Sequence, residues 1–257
     1  MKTLFSIFLL LVTISCYAQT YESDSYVCPP CGNQCDKLIF NKASNCPHCK
    51  MQLIKKSETI KKNHTICFYL QDGVEVLDFA GPMEVFSYAG ATIFTVSKTK
   101  QPIKAQGVLQ ITPDYDLKSA PPFDVLAVFG GNAGRAADDP EVIAWIKARQ
   151  PTTQYYFSIC TGAFILGKAG LLDSLTVTTF HDSIDDLKKA VPSATVLPNT
   201  RFVDNGTVIT TAGISAGIDG ALYLVEKFGG RDFAKRVAEY MEYDKWVPEQ
   251  GLVVSKK

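Results

Sequence analysis

From His64 onward the chain alternates short apolar runs with longer stretches of helical pattern, which predicts a mostly parallel sheet with helices on both faces. The expected strands are His64–Leu70, Ala91–Ser97, Asp124–Phe129, Tyr155–Ile159, Val177–Phe180, Phe202–Asn205 and Val208–Thr211. Gly107–Thr112 reads as part of a β-ribbon. Helices are expected over Glu141–Arg149, Thr161–Lys168, Ser215–Phe228 and Arg231–Tyr240. Another begins after Gly81-Pro82, with Pro82 in its first turn, where the missing N–H costs nothing. Cys67 alternates with Ile66 and Phe68 and reads as core. The fold class is therefore α/β and doubly wound, preceded by a small separate module.

The first residues follow a different pattern. Lys2 precedes an apolar run from Leu4 to Ile14, too short to span a bilayer, with Cys16 and Ala18 as small residues before a cleavage point. Residues 1–18 are read as a signal peptide cut after Ala18, which predicts a secreted or periplasmic protein. Lipidation at Cys16 is the alternative, although Thr13-Ile14-Ser15 is a poor signal for it; a buried N-terminal helix is another. In the 257-residue chain Lys+Arg and Asp+Glu both number 26, which leaves no electrostatic footprint for nucleic acid or an anionic membrane. No second apolar run approaches membrane-spanning length, so the mature protein is expected to stay off the membrane.

Five of the eight cysteines lie between Cys28 and Cys49. Cys28 and Cys31 form one CxxC pair and Cys46 and Cys49 another, the arrangement of a structural zinc site closed by four thiolates. A segment as short as residues 26–54 buries little core, so a metal would supply its folding energy. Cys35 and His48 are substitute ligands. Disulfide pairing is the competing reading in an oxidising compartment, and an odd number of cysteines would leave one thiol spare. Residues 55–63, rich in lysine, read as a solvated linker to a main domain spanning 64–248.

The most chemically pointed segment is YYFSICTGAFILGKAG. It sets Cys160 between an apolar strand and a helix rich in small residues, which is a nucleophile-elbow arrangement at the crevice of the sheet. The helix N-terminus is expected to lower the thiol pKa. An inert buried cysteine is the plainer alternative. Gly130 and Gly131 end a strand facing the same crevice, and the N–H groups of Gly131 and Thr161 are expected to form an oxyanion hole.

SICTGAFILGKAGLLD resembles the ThiJ/PfpI superfamily, and within it the isonitrile-hydratase-like branch. LDFAGPMEVF, PFDVLAVFGGNAG and TTAGISAGIDGALYLVEKFGG follow in family order, so the resemblance runs from about His64 to Trp246. It implies a flavodoxin-like fold, a small-molecule substrate, a homodimer, and Asp78 as the carboxylate partner of Cys160. A helix cap is the ordinary alternative for Asp78. The family often has His directly after Thr-Thr, where this chain has Phe180. His181 follows one residue later, on the other face of a strand, so its catalytic role is the least secure. That branch is also similar to the sensor halves of AraC-type regulators, but no helix-turn-helix pattern follows Trp246. The cysteine module resembles the bacterial heavy-metal-binding domain, whose pattern ends in CPxCGMxL; here Lys50 replaces the glycine. Two functions compete: a Cys160-dependent enzyme acting on a small electrophile, and a non-catalytic metal- or redox-responsive binding protein.

Overall fold

The structure, a computed structural model, describes residues 24–29, 33–56 and 64–254. Its main sheet has eight strands: β1 (Thr65–Tyr69), β2 (Thr92–Ser97), β3 (Tyr115–Asp116), β4 (Val125–Val128), β5 (Tyr155–Ile159), β6 (Phe202–Asp204), β7 (Val208–Thr211) and β8 (Leu252–Val253). Their order is β8-β6-β7-β5-β4-β1-β2-β3. All neighbouring pairs are parallel except β6 with β7. Chain order reverses between β1 and β4, which opens a crevice beyond the C-terminal ends of the central strands.

Alternation along each strand builds two cores. Ile66 and Phe68 of β1 face the side covered by α1 (Val76–Tyr88), α6 (Ala216–Gly229) and α7 (Arg231–Tyr240), together with Ala127, Phe157 and Ile209. Cys67 and Tyr69 face the other side, under α2 (Ala133–Ala137), α3 (Pro140–Arg149), α4 (Ala163–Lys168) and α5 (Ile184–Ala190). With both faces covered, the central strands are mostly apolar, as parallel sheets are, with Ser158 of β5 and Thr210 and Thr211 of β7 buried among them. Cys67 is fully buried core, as the alternation predicts.

Several elements differ from expectation, and β3, α2 and α5 lie where the pattern predicted none. The helix placed after Gly81-Pro82 begins earlier, at Val76, so Pro82 sits inside α1 rather than in its first turn. Val177–Phe180 is not a full strand: only Thr176–Val177 pairs, with Thr195–Val196 in a separate two-stranded sheet, and a 3-10 turn, His181–Ser183, follows. The domain also runs past residue 248, since Leu252 and Val253 pair with Val203 and Asp204 at the sheet's edge. The ribbon near Gly107 is present as Ile103–Ala105 against Leu109–Ile111.

Ahead of this domain, Tyr26–Val27 pairs antiparallel with Ile39–Phe40 and with Ile54–Lys55. This small sheet gathers Cys28, Cys35, Cys46 and Leu53 into a core of their own. It lies against α7, where the Tyr240 hydroxyl donates to Met51 Sδ at 2.8 Å. The signal-peptide reading falls on residues outside the described set. Among the described residues no helix is long and apolar enough to cross a membrane.

Candidate active site

Cys160 follows the last residue of β5 and takes a φ of +57°, a left-handed conformation that a non-glycine residue adopts at a cost. The turn is held from both sides. The Cys160 N–H donates to the Ala212 carbonyl at 3.1 Å, and the buried Thr179 hydroxyl donates to the Cys160 carbonyl at 2.7 Å. The bend directs the side chain away from the strand's ladder into the crevice, and Cys160 is only 6% exposed.

Asp78 enters the same space from the first turn of α1. It is fully buried and is not a cap. Its Oδ2 accepts the Gly130 N–H at 2.9 Å and its Oδ1 accepts the Ile214 N–H at 3.0 Å. The carboxyl and the Cys160 thiol are close enough for each to shift the other's ionisation. Gly130 shows how tight the meeting is: a Cβ there would stand 2.6 Å from Asp78 Oδ2 and 2.7 Å from Cys160 Sγ. Only glycine fits.

These contacts set the protonation of the pair. Burial pushes the Asp78 carboxyl up to about 6, outweighing the two N–H groups and the thiol that favour its charge. Burial, and then the Asp78 charge, push the Cys160 thiol up to about 12, while the N–H and hydroxyl of Thr161 work the other way. The expected depressed thiol pKa is therefore corrected. The helix after Cys160 is only six residues long, and its N-terminus does not outweigh burial beside a carboxylate. Between these two values the pair holds one proton over a broad range that includes neutrality.

The remaining candidates divide. Thr161 sits over the thiol, and its hydroxyl donates to the Gly131 carbonyl at 3.4 Å. Gly131 has a φ of +82°, and among the described residues no acceptor takes its N–H. His181 does not join the thiol. Its side chain is 72% exposed, with Nε2 3.3 Å from Asp182, because the chain turns into the 3-10 segment instead of continuing as a strand. Phe180 instead faces the thiol's surroundings: its ring and the Cys160 sulfur both abut Gly213. His181 lines a cleft of about 320 Å³ together with Thr178, Thr179 and Arg201. Arg201 is committed there to the buried Asp219, donating from Nε at 2.7 Å.

Sequence reasoning missed Ile214 and undervalued Gly130. Ile214 has a φ of +58°, which turns its N–H onto Asp78, and nothing in GISAG marks that conformation. Gly130 carried a signal, since a Gly-Gly pair ending a buried strand marks a close approach.

In the small module the sulfur atoms of Cys28, Cys35, Cys46 and Cys49 all lie within 4.8 Å of one another. Cys28 Sγ and Cys49 Sγ are 3.1 Å apart. Cys31, the remaining residue of the first CxxC pair, lies outside the described residues. Burial raises Cys28 well above the usual thiol range. Cys46 is also desolvated, yet it is held down at about 7 by the N–H groups of Cys49 and His48. Four thiols with backbone donors to one sulfur fit a thiophilic ion, since tetrahedral zinc would space the sulfurs at about 3.8 Å. Lys50 takes a φ of +67°, the conformation for which glycine is suited at that place in the pattern.

Comparison with known proteins agrees with this geometry. The model of the DJ-1/PfpI family matches residues 64–227. The isonitrile hydratase of Pseudomonas putida is 34% identical over 69% of this chain and 78% of its own length. The HTH-type transcriptional regulator GbdR of Pseudomonas aeruginosa is 25% identical over 72% of this chain, which spans only 52% of that regulator. Among solved structures, a ThiJ/PfpI family protein from Pseudomonas syringae superposes with a TM-score of 0.67 at 30% identity, covering 74% of this chain and 78% of that one.

Proposed function

The chain belongs to the DJ-1/PfpI family, and from that premise we propose an exported, cysteine-dependent enzyme that adds water to a small electrophilic carbon, in the manner of an isonitrile hydratase. The observation that carries this reading is the meeting of Cys160 and Asp78, two buried groups that close on the same face of Gly130 at a left-handed turn in the crevice. A thiol that must deliver its proton to a fixed neighbour before it can attack is suited to substrates that need that proton back.

With an isonitrile, R–NC, the proton passes from Cys160 to Asp78 as the sulfur bonds to the terminal carbon. Asp78 then returns the proton to that carbon, giving the thioimidate R–N=CH–S–Cys160. Water adds to the thioimidate carbon, one water proton going to the substrate nitrogen. The tetrahedral oxygen faces the Gly131 N–H, with Thr161 over the sulfur. Collapse expels the sulfur, which recovers the remaining water proton, and releases the N-formyl amine R–NH–CHO, so that R–NC and one water account for the product. Small carbonyl or amide substrates use the same groups. His181 serves at the rim of the adjoining cleft rather than in proton transfer, the homodimer of the family resemblance belongs to the same reading, and export rests on the pattern of residues 1–18.

The cysteine module is proposed to hold zinc or another thiophilic metal through Cys28, Cys46 and Cys49, with Cys35 or Cys31 as the fourth ligand. Such an ion would supply folding energy to the module and takes no part in the steps above. The relation to a transcriptional regulator supports a second reading, in which the crevice binds a small molecule without turning it over. The deciding experiment incubates the purified chain with tert-butyl isonitrile and follows the N-formyl amine by NMR. Product formation that is lost in Cys160→Ser and Asp78→Asn supports the enzyme. Saturable binding without product supports the second reading.

A further inference from the structure

The end of β4 is set by a residue that the mechanism above does not use. Gln71 follows β1 by two positions, is 5% exposed, and is the only glutamine among the buried polar residues of the described chain. Its Nε2 donates to the Phe129 carbonyl and to the Gly130 carbonyl, each at 3.0 Å. The Gly130 carbonyl also accepts the Glu75 N–H at 3.1 Å. These two carbonyls lie beyond Val128, where β4 ends, so the side chain supplies the donors that the ladder no longer provides. The Gln71 Oε1 is buried without a partner, so the amide is retained at a cost and for its donor end.

The consequence follows from peptide geometry. The described chain has no cis bonds, and in a planar trans peptide the C=O and the following N–H point in opposite directions. Fixing the Phe129 carbonyl on Gln71 therefore turns the Gly130 N–H away from it and onto Asp78. Fixing the Gly130 carbonyl on Gln71 and Glu75 likewise turns the Gly131 N–H away from them. We propose that Gln71 is a positioning residue, which clamps two successive peptides so that one N–H holds Asp78 and the next is presented to a reacting oxygen of the substrate. The second half of this rests on the hydratase reading; the first half does not.

The test replaces Gln71 with Met, which keeps the length and removes both donors, in the full chain. Turnover of tert-butyl isonitrile should lose roughly ten- to hundredfold in kcat, with KM within about twofold, because a misdirected donor weakens the transition state more than binding. The lower inflection in the pH profile of Cys160 alkylation by iodoacetamide should move to higher pH, because the Gly130 N–H no longer holds Asp78 down. A folded Gln71→Met protein with unchanged kcat and an unchanged inflection overturns the proposal. If the wild-type chain turns over no isonitrile, the hydratase reading fails, and the alkylation inflection alone decides the role of Gln71. Should the variant not fold, 15N-labelled wild-type protein gives the answer. Slow exchange of the Gln71 side-chain amide protons, with hydrogen-bond couplings to the Phe129 and Gly130 carbonyls, supports the clamp, and rapid exchange overturns it.

Discussion

At the scale of single residues, Asp78 is kept in a place that opposes its ionisation. Its folded pKa of about 6 stands above the ordinary carboxylate value of 3.8. The folded chain therefore holds the proton more tightly than the unfolded one. The fold has its full stability from this group below pH 4 and loses it as pH rises toward 6 and beyond. The difference corresponds to about 3 kcal/mol. Asp78→Asn does not titrate, so the stability of wild type relative to this variant should fall by about that amount between pH 3.5 and 7, read from urea midpoints. A difference that stays flat with pH would mean the carboxyl is not buried as described. Cys160 and Asp78 were legible in the sequence because a strand–Cys–Thr–Gly–helix segment and LDFAGP carry specific patterns. The N–H groups of Gly130 and Ile214 that hold Asp78 were not, because backbone direction leaves no mark on residue type. His181, already the least secure candidate, lies away from the thiol for a reason the pattern did not show: the strand expected through Phe180 stops at Val177, and a turn carries the imidazole out to solvent.

At the scale of elements, the crevice depends on how closely α6 lies on the sheet and on α1. A Cβ on Gly220 of α6 would stand 2.3 Å from Thr211 Cγ2 and 2.9 Å from the Phe157 ring. Gly217, one turn earlier, meets Ile159 and Pro82 in the same way. Both glycines face the strands that carry the Ala212 and Cys160 turns, so any outward shift of α6 reaches the site. Gly220→Ala should lower stability by about 1–3 kcal/mol through overpacking, despite alanine's better helix propensity. A denaturant midpoint equal to or above wild type would contradict that packing. The strands themselves were plain from their apolar runs, and β5, β7 and α7 begin and end where the pattern predicts. The start of α1 was not. Proline marks a first turn in most helices, but Pro82 lies inside α1, packed toward Gly217, where close approach to α6 compensates for the missing N–H.

At the scale of the whole molecule, two chemistries of sulfur are kept apart. Four thiols of the small module gather on one another, while Cys160 stands alone with a carboxylate in the crevice and Cys67 is sealed in the core. The module rests on α7 and near Tyr88 through Pro29, Met51 and Ile54. The two-CxxC pattern announced the sulfurs, and Cys35, read as a substitute ligand, is gathered among them. A 3-10 turn over Gln34–Lys37 brings Cys35 inward, and sequence spacing alone does not reveal it. The doubly wound architecture was legible from its central strands, but both edge strands and two short helices were not: Tyr115–Asp116 and Leu252–Val253 have two residues each, and α2 and α5 only five and seven, too few to show a period.

The central claim is that Cys160 and Asp78 hold one proton between them, and the most direct measurement is the rate of Cys160 alkylation by iodoacetamide as a function of pH. The account predicts two rises in the wild-type chain. One lies near pH 6, where the pair becomes singly charged and a fraction of it exists as thiolate beside a protonated Asp78. The second approaches pH 12, where the last proton leaves. In Asp78→Asn the lower rise should vanish and the upper one should move down, because the opposing charge is gone while burial remains. A single rise in the ordinary thiol range, unchanged by Asp78→Asn, would contradict the account.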